Sequence, residues 1–290
     1  MDVRKYEAFL RAVECGNLTK AGEELGYTQS GISHMMKGFE AELGFKLVYR
    51  GNRGVVPTPD GEKLLPAIRE LVKWHSAIEE TVSSIKGLNT GTIRIGTLAS
   101  ISFSWLPRII HSFQWDFPNV NIEIKEGGIK EIESWIADDS IDIGFLSIQK
   151  HSDYQTITLK SDRFLAILPL GHPMAHEEVF PLEKFNDQPF IISAKGSDYD
   201  IHRILAEHKV RPMTKFTSTD DHTIISMVEM GLGVSILPEL MLAGRRDKVA
   251  ALRLSPDCSR TLGTAFHSLR DISPATSKFK HYVTTLTFQE

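Results

Sequence analysis

The sequence has little cysteine and no long apolar run. Its two cysteines, Cys15 and Cys258, lie far apart and form neither a CxxC motif nor any metal-ligand spacing. This argues against a disulfide framework and a structural zinc site, and we expect two free, buried thiols. No stretch reaches the roughly 18 consecutive apolar residues that a membrane span needs. The opening residues, MDVRKYEAFLRAVE, contain no apolar leader. We therefore expect a cytoplasmic protein with no membrane partner.

Motifs of catalysis are also missing. The sequence contains no GxSxG, Walker loop or HExxH motif, and no paired carboxylates stand out. His202 and His208 are separated by a spacing that does not place them on one helix face. We predict that the protein is not an enzyme and that it needs neither a cofactor nor a metal ion.

The charge is distributed unevenly. The chain has 33 basic and 37 acidic residues, a net charge of −4, which argues against a protein that coats nucleic acid indiscriminately. Between residues 28 and 56, however, four basic residues stand against two glutamates. This segment is therefore a weak basic patch with a definite location.

Helix-ending glycines divide the N-terminal segment into three predicted helices. The first ends at Gly16, and Asn17 or Thr19 can cap a second, short helix. Gly26 ends that helix and Thr28 is positioned to cap a third, so the break is a tight helix-turn-helix. The buried stripe of the first helix is formed by Tyr6, Phe9, Leu10 and Val13.

The third helix has one apolar and one polar side. Its predicted buried residues are Ile32, Met35, Met36, Phe39 and Leu43. Short or hydrogen-bonding residues follow its start, as expected of a helix that enters a major groove about 12 Å wide. The predicted DNA-contacting residues of this segment are Thr28, Gln29, Ser30, Ser33, His34 and Lys37. The alternative is a merely solvated helix face.

The segment after this helix favours the DNA-binding interpretation. The stretch YRGNRGVVPTPDG is rich in glycine and contains short β-forming residues, which predicts a two-stranded wing. Arg50 and Arg53 lie in this wing, where they are well placed to contact phosphates.

These residues carry a family resemblance. The segment Ala8–Leu65 resembles the winged helix-turn-helix of LysR-type transcriptional regulators, including its Thr19-x-Ala21 helix start and its Thr58-x-x-Gly61 exit. The resemblance implies a double-stranded promoter DNA partner. Gly22 and Gly31 stand where the family more often has alanine. Each glycine could cost up to about 1 kcal/mol of helix stability, and they could shift base preference.

A long helix is predicted after Thr58-Pro59-Asp60, a strong helix start. Its apolar residues repeat every three or four positions, which predicts a heptad seam interrupted by a single polar residue. The seam consists of Leu64, Ile68, Leu71, His75, Ile78, Val82 and Ile85. It could pair with a second copy or pack on the chain's own second domain, and His75 could fix its register. Pro66 is expected to bend the helix near its start.

The resemblance favours pairing with a second copy, since LysR-type regulators dimerise through this helix. We therefore expect a homodimer that assembles into a homotetramer and contacts RNA polymerase when bound to DNA.

The larger half alternates strand and helix patterns. Strands are predicted at TIRIGTL, VNIEIKEG and IDIGFL, with helices between them, and a second such run begins near RFLAILPLGHPMA. This alternation predicts a doubly wound parallel sheet in two lobes with a ligand cleft between them. A solute-binding protein of transport would show the same pattern, but it would not need residues 1–90.

The second half also resembles the LysR-type effector domain, notably in GHPMA at Gly171–Ala175 and VEMGLGVSILPE at Val228–Glu239. The implied fold is an N-terminal winged helix-turn-helix followed by a two-lobed α/β domain like that of periplasmic binding proteins. We predict a DNA-binding domain over 1–58, a linker helix over 59–90 and an effector domain over 91–290. Lobe I comprises 91–162 and 268–290, and lobe II comprises 163–267.

The resemblance also suggests where an effector binds. Hydroxyl side chains lie after the predicted strands and suit a carboxylate or another small anion, although each could instead cap a helix. The candidate effector residues are Ser100, Ser102, Ser147, Ser193, Ser197 and Thr219. Asp198 could complete the cleft.

Overall fold

The computed structural model describes residues 2–51, 54–85, 89–149, 154–186, 188–194 and 199–287. Its contacts divide the chain into two compact units, Met1–Leu88 and Asn89–Glu290. We call them the N-terminal unit and the C-terminal unit. Within the described ranges, no helix combines the length and the apolar character needed to cross a membrane.

The N-terminal unit contains the predicted helices and wing. Its elements are α1 (Val3–Cys15), α2 (Leu18–Leu25), α3 (Gln29–Leu43), β1 (Val48–Gly51), β2 (Gly54–Pro57) and α4 (Pro59–Ile85). The strands β1 and β2 pair antiparallel. Helix α1 packs against α2, α3 and α4, so that one small core forms between them. The predicted winged helix-turn-helix is therefore confirmed.

Local sequence explains where these helices begin and end. Gly16 and Gly26 adopt left-handed backbone conformations, with φ of 60° and 72°, at the ends of α1 and α2. The Asn17 side chain accepts hydrogen bonds from the Thr19 and Lys20 amides at 2.8 and 3.3 Å, so Asn17 is the cap of α2 and Thr19 lies inside the helix. These caps fix the short turn that separates α2 from α3.

The C-terminal unit begins with the elements β3 (Gly91–Thr97), α5 (Ala99–Ser104), α6 (Leu106–Asp116), β4 (Val120–Glu126), α7 (Ile129–Ala137), β5 (Ile143–Ser147) and β6 (Gln155–Leu168). It continues with β7 (Val179–Pro181), β8 (Pro189–Ser193), α8 (Tyr199–Glu207), β9 (Met213–Ser218), α9 (Asp221–Glu229), β10 (Ser235–Pro238), β11 (Ala250–Ser255), β12 (Ser259–Phe266) and α10 (Pro274–Thr287). Short 3-10 helices follow β7 and β10, at Leu182–Phe185 and Glu239–Leu242.

The sheet of this unit is mixed. Its strand order is β4-β3-β5-β12-β6-β11-β7, and β10 also pairs with β6. The predicted parallel pairing holds for β3 with β4 and β5, and for β8 with β9, which form a separate two-stranded sheet. In contrast, β12 is antiparallel to both β5 and β6. The chain leaves one lobe through β6 and returns through β12, so the two strands run in opposite directions side by side.

Two hydrophobic cores define the two lobes. Lobe I is built around β3, β5, α6, α7 and α10, and lobe II around β8, β10, β11, α8 and α9. Leu262, Ala265 and Phe266 of β12 belong to the lobe I core. The predicted assignment of all of 163–267 to lobe II therefore needs correction, because β12 returns into lobe I before α10.

Candidate DNA-binding face and effector cleft

The exposed side of α3 carries the predicted DNA-contacting residues. Thr28, Gln29, Ser30, His34 and Lys37 are exposed and Ser33 is half-buried. On the opposite side, Ile32, Met36 and Phe39 are fully buried, whereas Met35 and Leu43 are only partly buried at the core's edge. The polar residues therefore share one side of a helix that the core holds from behind.

Thr28 has a structural role as well as a position on this face. Its Oγ1 accepts a hydrogen bond from the Gly31 amide at 3.1 Å and lies 3.0 Å from the Ser30 hydroxyl. The first turn of α3 is thus capped by a residue that we also predicted to meet DNA.

The wing, formed by β1 and β2, contacts α3 directly. Arg50 Nη1 donates a hydrogen bond to Ser33 Oγ at 2.9 Å, which connects a predicted phosphate-binding residue with a predicted base-reading residue. Arg53 lies outside the described residues. Sequence reasoning did not find the pairing of Arg50 with Ser33, because it depends on how the wing folds back onto α3.

Glu40 holds the start of the wing in place. This structural role was not predicted from the sequence. Its buried carboxylate accepts hydrogen bonds from the Leu47 amide at 2.9 Å, the Val48 amide at 3.3 Å and Lys46 Nζ at 3.1 Å. Burial alone would raise the pKa of the Glu40 carboxyl, but these hydrogen bonds outweigh it and hold the pKa below its ordinary value. Its burial could have been predicted from the sequence, because Glu40 lies one helical turn after the buried Met36 and therefore on the same side of α3.

The two unusual glycines differ in the space around them. A Cβ at Gly22 would lie 2.7 Å from the Tyr27 carbonyl oxygen, closer than any tolerated contact. At Gly31, the nearest atom to a Cβ would be Thr28 Oγ1 at 3.3 Å. Gly22 is therefore required by the close approach of α2 to the turn. At Gly31, a Cβ would instead press on the capping hydroxyl of Thr28, a side-chain atom that would have to move by a few tenths of an ångström.

This difference makes a matched pair of variants. Gly22→Ala is expected to destabilise the N-terminal unit by about 1–3 kcal/mol through overpacking. Gly31→Ala is expected to change stability by less than about 1 kcal/mol, because the better helix propensity of alanine opposes the displacement of the Thr28 hydroxyl. Amide hydrogen exchange of α2 and α3 in the full-length chain measures both effects. Equal losses of protection in the two variants would contradict this assignment.

The seam of α4 divides into two parts. Ile68 is buried and Leu64 partly buried in the core of the N-terminal unit. Further along, Leu71, Ile78, Val82 and Ile85 are exposed, with Ile78 at 62% and Ile85 at 81%. The exposed Trp74 lies beside them and was not predicted as part of the seam. The seam residues after Ile68 thus form an apolar stripe that the N-terminal core does not cover.

His75 is half-buried within this stripe. Its Nδ1 lies 3.8 Å from Glu7 Oε1 and 4.0 Å from Glu79 Oε2, distances that are too long for hydrogen bonds. The predicted register role of His75 remains a prediction.

A cleft of about 600 Å³ lies between the lobes of the C-terminal unit. Lobe I, the crossing strand β12 and lobe II all contribute to its walls. The lining residues are Ile129, Lys130, Glu133, Ser147, Ile148, Gln149, Tyr199, Asp200, Arg203, Glu207, Ser259, Arg260 and Thr261. This volume suits a small molecule.

Not all of the predicted effector residues belong to the lining of this cleft. Ser147 lines it, and Ser100 reaches it through a hydrogen bond from the lining residue Arg260. Ser102 is half-buried on α5 and Thr219 is exposed beyond β9, and neither is part of the lining. Ser193 is buried and its carbonyl lies 3.1 Å from His202 Nε2. Ser197 and Asp198 fall outside the described residues.

Sequence reasoning missed an ion pair at the floor of the cleft. Arg260 donates from Nε and Nη2 to Asp162 Oδ2, at 3.0 and 2.8 Å, and both side chains are almost completely buried. Both residues alternate with exposed neighbours and lie on the same inward face as buried residues two positions away, Cys258 and Leu262 for Arg260 and Phe164 for Asp162. Charged residues at inward-facing strand positions were the signal that could have found them.

Comparison with known proteins decides the family. Residues 3–62 match the model of the bacterial regulatory helix-turn-helix protein, lysR family, and residues 86–287 match the LysR substrate binding domain. The chain belongs to the LysR family. Its members are transcriptional regulators, so the protein is a DNA-binding regulator with an effector-binding domain rather than an enzyme or a solute-binding protein of transport.

Individual relatives and solved structures match this chain over nearly its whole length. The chain is 31% identical over 282 residues to the HTH-type transcriptional regulator YvbU of Bacillus subtilis (strain 168), covering 96% of each chain. Full-length OxyR from Pseudomonas aeruginosa has the same fold, with a TM-score of 0.77, 20% identity and coverage of 98% of this chain and 94% of the OxyR chain. CbnR in complex with its target DNA superposes with a TM-score of 0.67 at 15% identity, over 99% of this chain and all of CbnR.

Proposed function

We propose that this LysR-family protein binds specific promoter sequences through the exposed side of α3 and that a small polar or anionic effector in the cleft controls this binding. The observation that carries the proposal is the hydrogen bond from Arg50 to Ser33, because it brings one predicted phosphate contact and one predicted base contact together on the same face. No cofactor other than the effector is required.

We further propose that the protein acts in the cytoplasm as a homodimer, paired through the apolar stripe of α4, and that dimers associate into a homotetramer. A tetramer would contact two DNA sites at once. An effector with different affinities for two arrangements of the tetramer would shift their populations, and with them DNA bending and contact with RNA polymerase. The exposed apolar residues of α4 support pairing; the contact with RNA polymerase follows from the proposed role at a promoter.

Two substitutions separate base reading from phosphate binding. Gln29→Ala is expected to cost about 1–3 kcal/mol on the preferred operator and to relax sequence preference. Arg53→Ala, at the other predicted phosphate contact, is expected to weaken binding to all sequences and to reduce the salt slope by about one unit. Gel shifts with the protein's own upstream region, with and without competitor DNA and across a salt series, measure both changes.

A matched control removes a positive charge elsewhere. Lys248→Ala neutralises a lysine of the C-terminal unit that pairs with Glu229 at 3.4 Å, and we expect unchanged operator binding. Equal losses on every sequence for Gln29→Ala would remove Gln29 from the base-reading residues. Binding without sequence preference or salt dependence in the unmodified protein would contradict the proposed function itself.

A further inference from the structure

The side chains of Arg50 in β1 and Ser33 in α3 meet on the DNA-binding face. Arg50 Nη1 donates to Ser33 Oγ at 2.9 Å, across 17 positions of the chain. Among the described residues, neither side chain has another hydrogen-bond or ion-pair partner. The serine oxygen must be the acceptor, because a guanidinium carries only donors. The bond therefore directs the Ser33 oxygen towards the wing.

The backbone on each side of this bond is held by the core of the N-terminal unit. Ile32, the neighbour of Ser33, is fully buried in that core. Arg50 is paired across the wing with Val55. Val55 is buried in the same core, and its amide donates to the Gly16 carbonyl at 2.8 Å. The fold therefore brings the two backbones close together, and the side chains need only adopt the rotamers that meet.

The guanidinium retains donors for a second partner. An arginine side chain carries several N–H donors in a planar fork, and Ser33 takes up only one of them. Arg50 is exposed, so a phosphate oxygen can reach the others. Phosphate binding would order the guanidinium, and bound DNA would exclude water from the bond to Ser33. Both effects strengthen that bond in the complex.

The bond also changes what the Ser33 hydroxyl can do. Its oxygen accepts from Arg50, and its own proton remains to be donated elsewhere. A serine without such a partner exchanges among staggered rotamers. Holding the hydroxyl in one of them lowers the entropy cost of making a base contact. Base-edge contacts carry sequence information that phosphate contacts lack, so this effect of Arg50 would appear as sequence preference.

We propose that Arg50 is a positioning residue for base recognition: it holds the Ser33 hydroxyl in the orientation that meets a base edge, while the same guanidinium binds the phosphate backbone. The inference rests on the proposed DNA-binding function and adds a role in specificity to a predicted phosphate contact. The wing thereby contributes to operator choice through a residue that does not itself read a base. A phosphate contact alone would contribute equally on every sequence.

The test is a double-mutant cycle measured on two DNAs. Fluorescence anisotropy of the full-length chain with Ser33→Ala, Arg50→Ala and both together gives affinities for the protein's own upstream region and for a scrambled sequence of equal length. On the upstream DNA, we expect Arg50→Ala to cost at least about 5-fold less affinity when Ser33 is already alanine. On the scrambled DNA, the two losses should multiply, because no specific base contact is made there.

A scan of operator base pairs supplies a readout that a purely structural role would not move. Ser33→Ala should relax the preference at one base pair, and Arg50→Ala should relax the preference at the same base pair. Arg53→Ala should weaken binding to every operator variant alike. The matched control is Arg163→Ala, which removes an exposed arginine of the C-terminal unit that lies 3.9 Å from Asp257. It should change neither affinity nor base preference.

The outcomes separate this inference from the proposed function. Losses that multiply on both DNAs, or a loss for Arg50→Ala that is equal at every base pair, would show a phosphate contact alone and overturn the inference. It would also be overturned if Ser33→Ala relaxed no base pair, or if the two variants affected different ones. Thermal melting checks that each variant is folded. If the unmodified protein does not distinguish the upstream region from scrambled DNA, the proposed function itself fails.

Discussion

Asp162→Leu is expected to lower the free energy of unfolding of the C-terminal unit by about 3–5 kcal/mol, because it leaves the guanidinium of Arg260 buried without its counter-ion. Arginine cannot deprotonate to escape this cost. The side chains of Arg260 and Asp162 are 4% and 2% exposed, so water cannot replace the lost carboxylate. The double variant Asp162→Leu with Arg260→Met should recover most of the loss, since well-packed apolar residues can substitute for a buried ion pair.

The matched control is an ion pair on the surface. Arg253 and Glu178 lie 3.7 Å apart, with side chains 55% and 90% exposed, and we expect Glu178→Leu to change stability by less than about 1 kcal/mol. Urea unfolding of the full-length chain in a Trp74→Phe background follows the effect, because the remaining tryptophans lie in the C-terminal unit. A loss for Asp162→Leu as small as that of the control would show that Asp162 does not balance the charge of Arg260.

The features that sequence reasoning predicted well are local ones. Gly16 and Gly26 end helices, Thr28 caps the next, and the alternation of strand and helix patterns identified the two lobes. Each depends on residues within a few positions of one another, so the chain itself carries the information. The choice between Asn17 and Thr19 as the cap of α2 needed the structure, because both residue types can cap a helix.

The features that were missed join distant parts of the chain. Arg260 meets Asp162 across 98 residues and Ser100 across 160, and both contacts depend on the register of β12 against β6. Sequence patterns identified serines near strand ends, but they could not show which of these face the same cleft. The mixed sheet was missed for the same reason. The direction of β12, the strand that returns to lobe I, depends on how both lobes fold.

The exposed stripe of α4 leads to the second large expected effect. Its apolar residues after Ile68 are exposed at a spacing of three or four positions, and a buried side chain of this kind contributes about 1.5–3 kcal/mol. Ile78→Glu would place a charge in the middle of this stripe. We expect the dimer to dissociate and operator affinity to fall by about 10²- to 10⁴-fold, because two linked DNA-binding units gain that much from simultaneous binding.

The control adds the same charge on the other side of the helix. Ser76 is exposed and lies nearly opposite Ile78 around the helix axis, so Ser76→Glu should leave both assembly and operator affinity unchanged. Analytical ultracentrifugation measures the oligomeric state, and fluorescence anisotropy with labelled operator DNA measures affinity. If Ile78→Glu dissociates the assembly without weakening operator binding, the two DNA-binding units do not act together. If it changes neither, α4 does not pair with a second copy through this stripe.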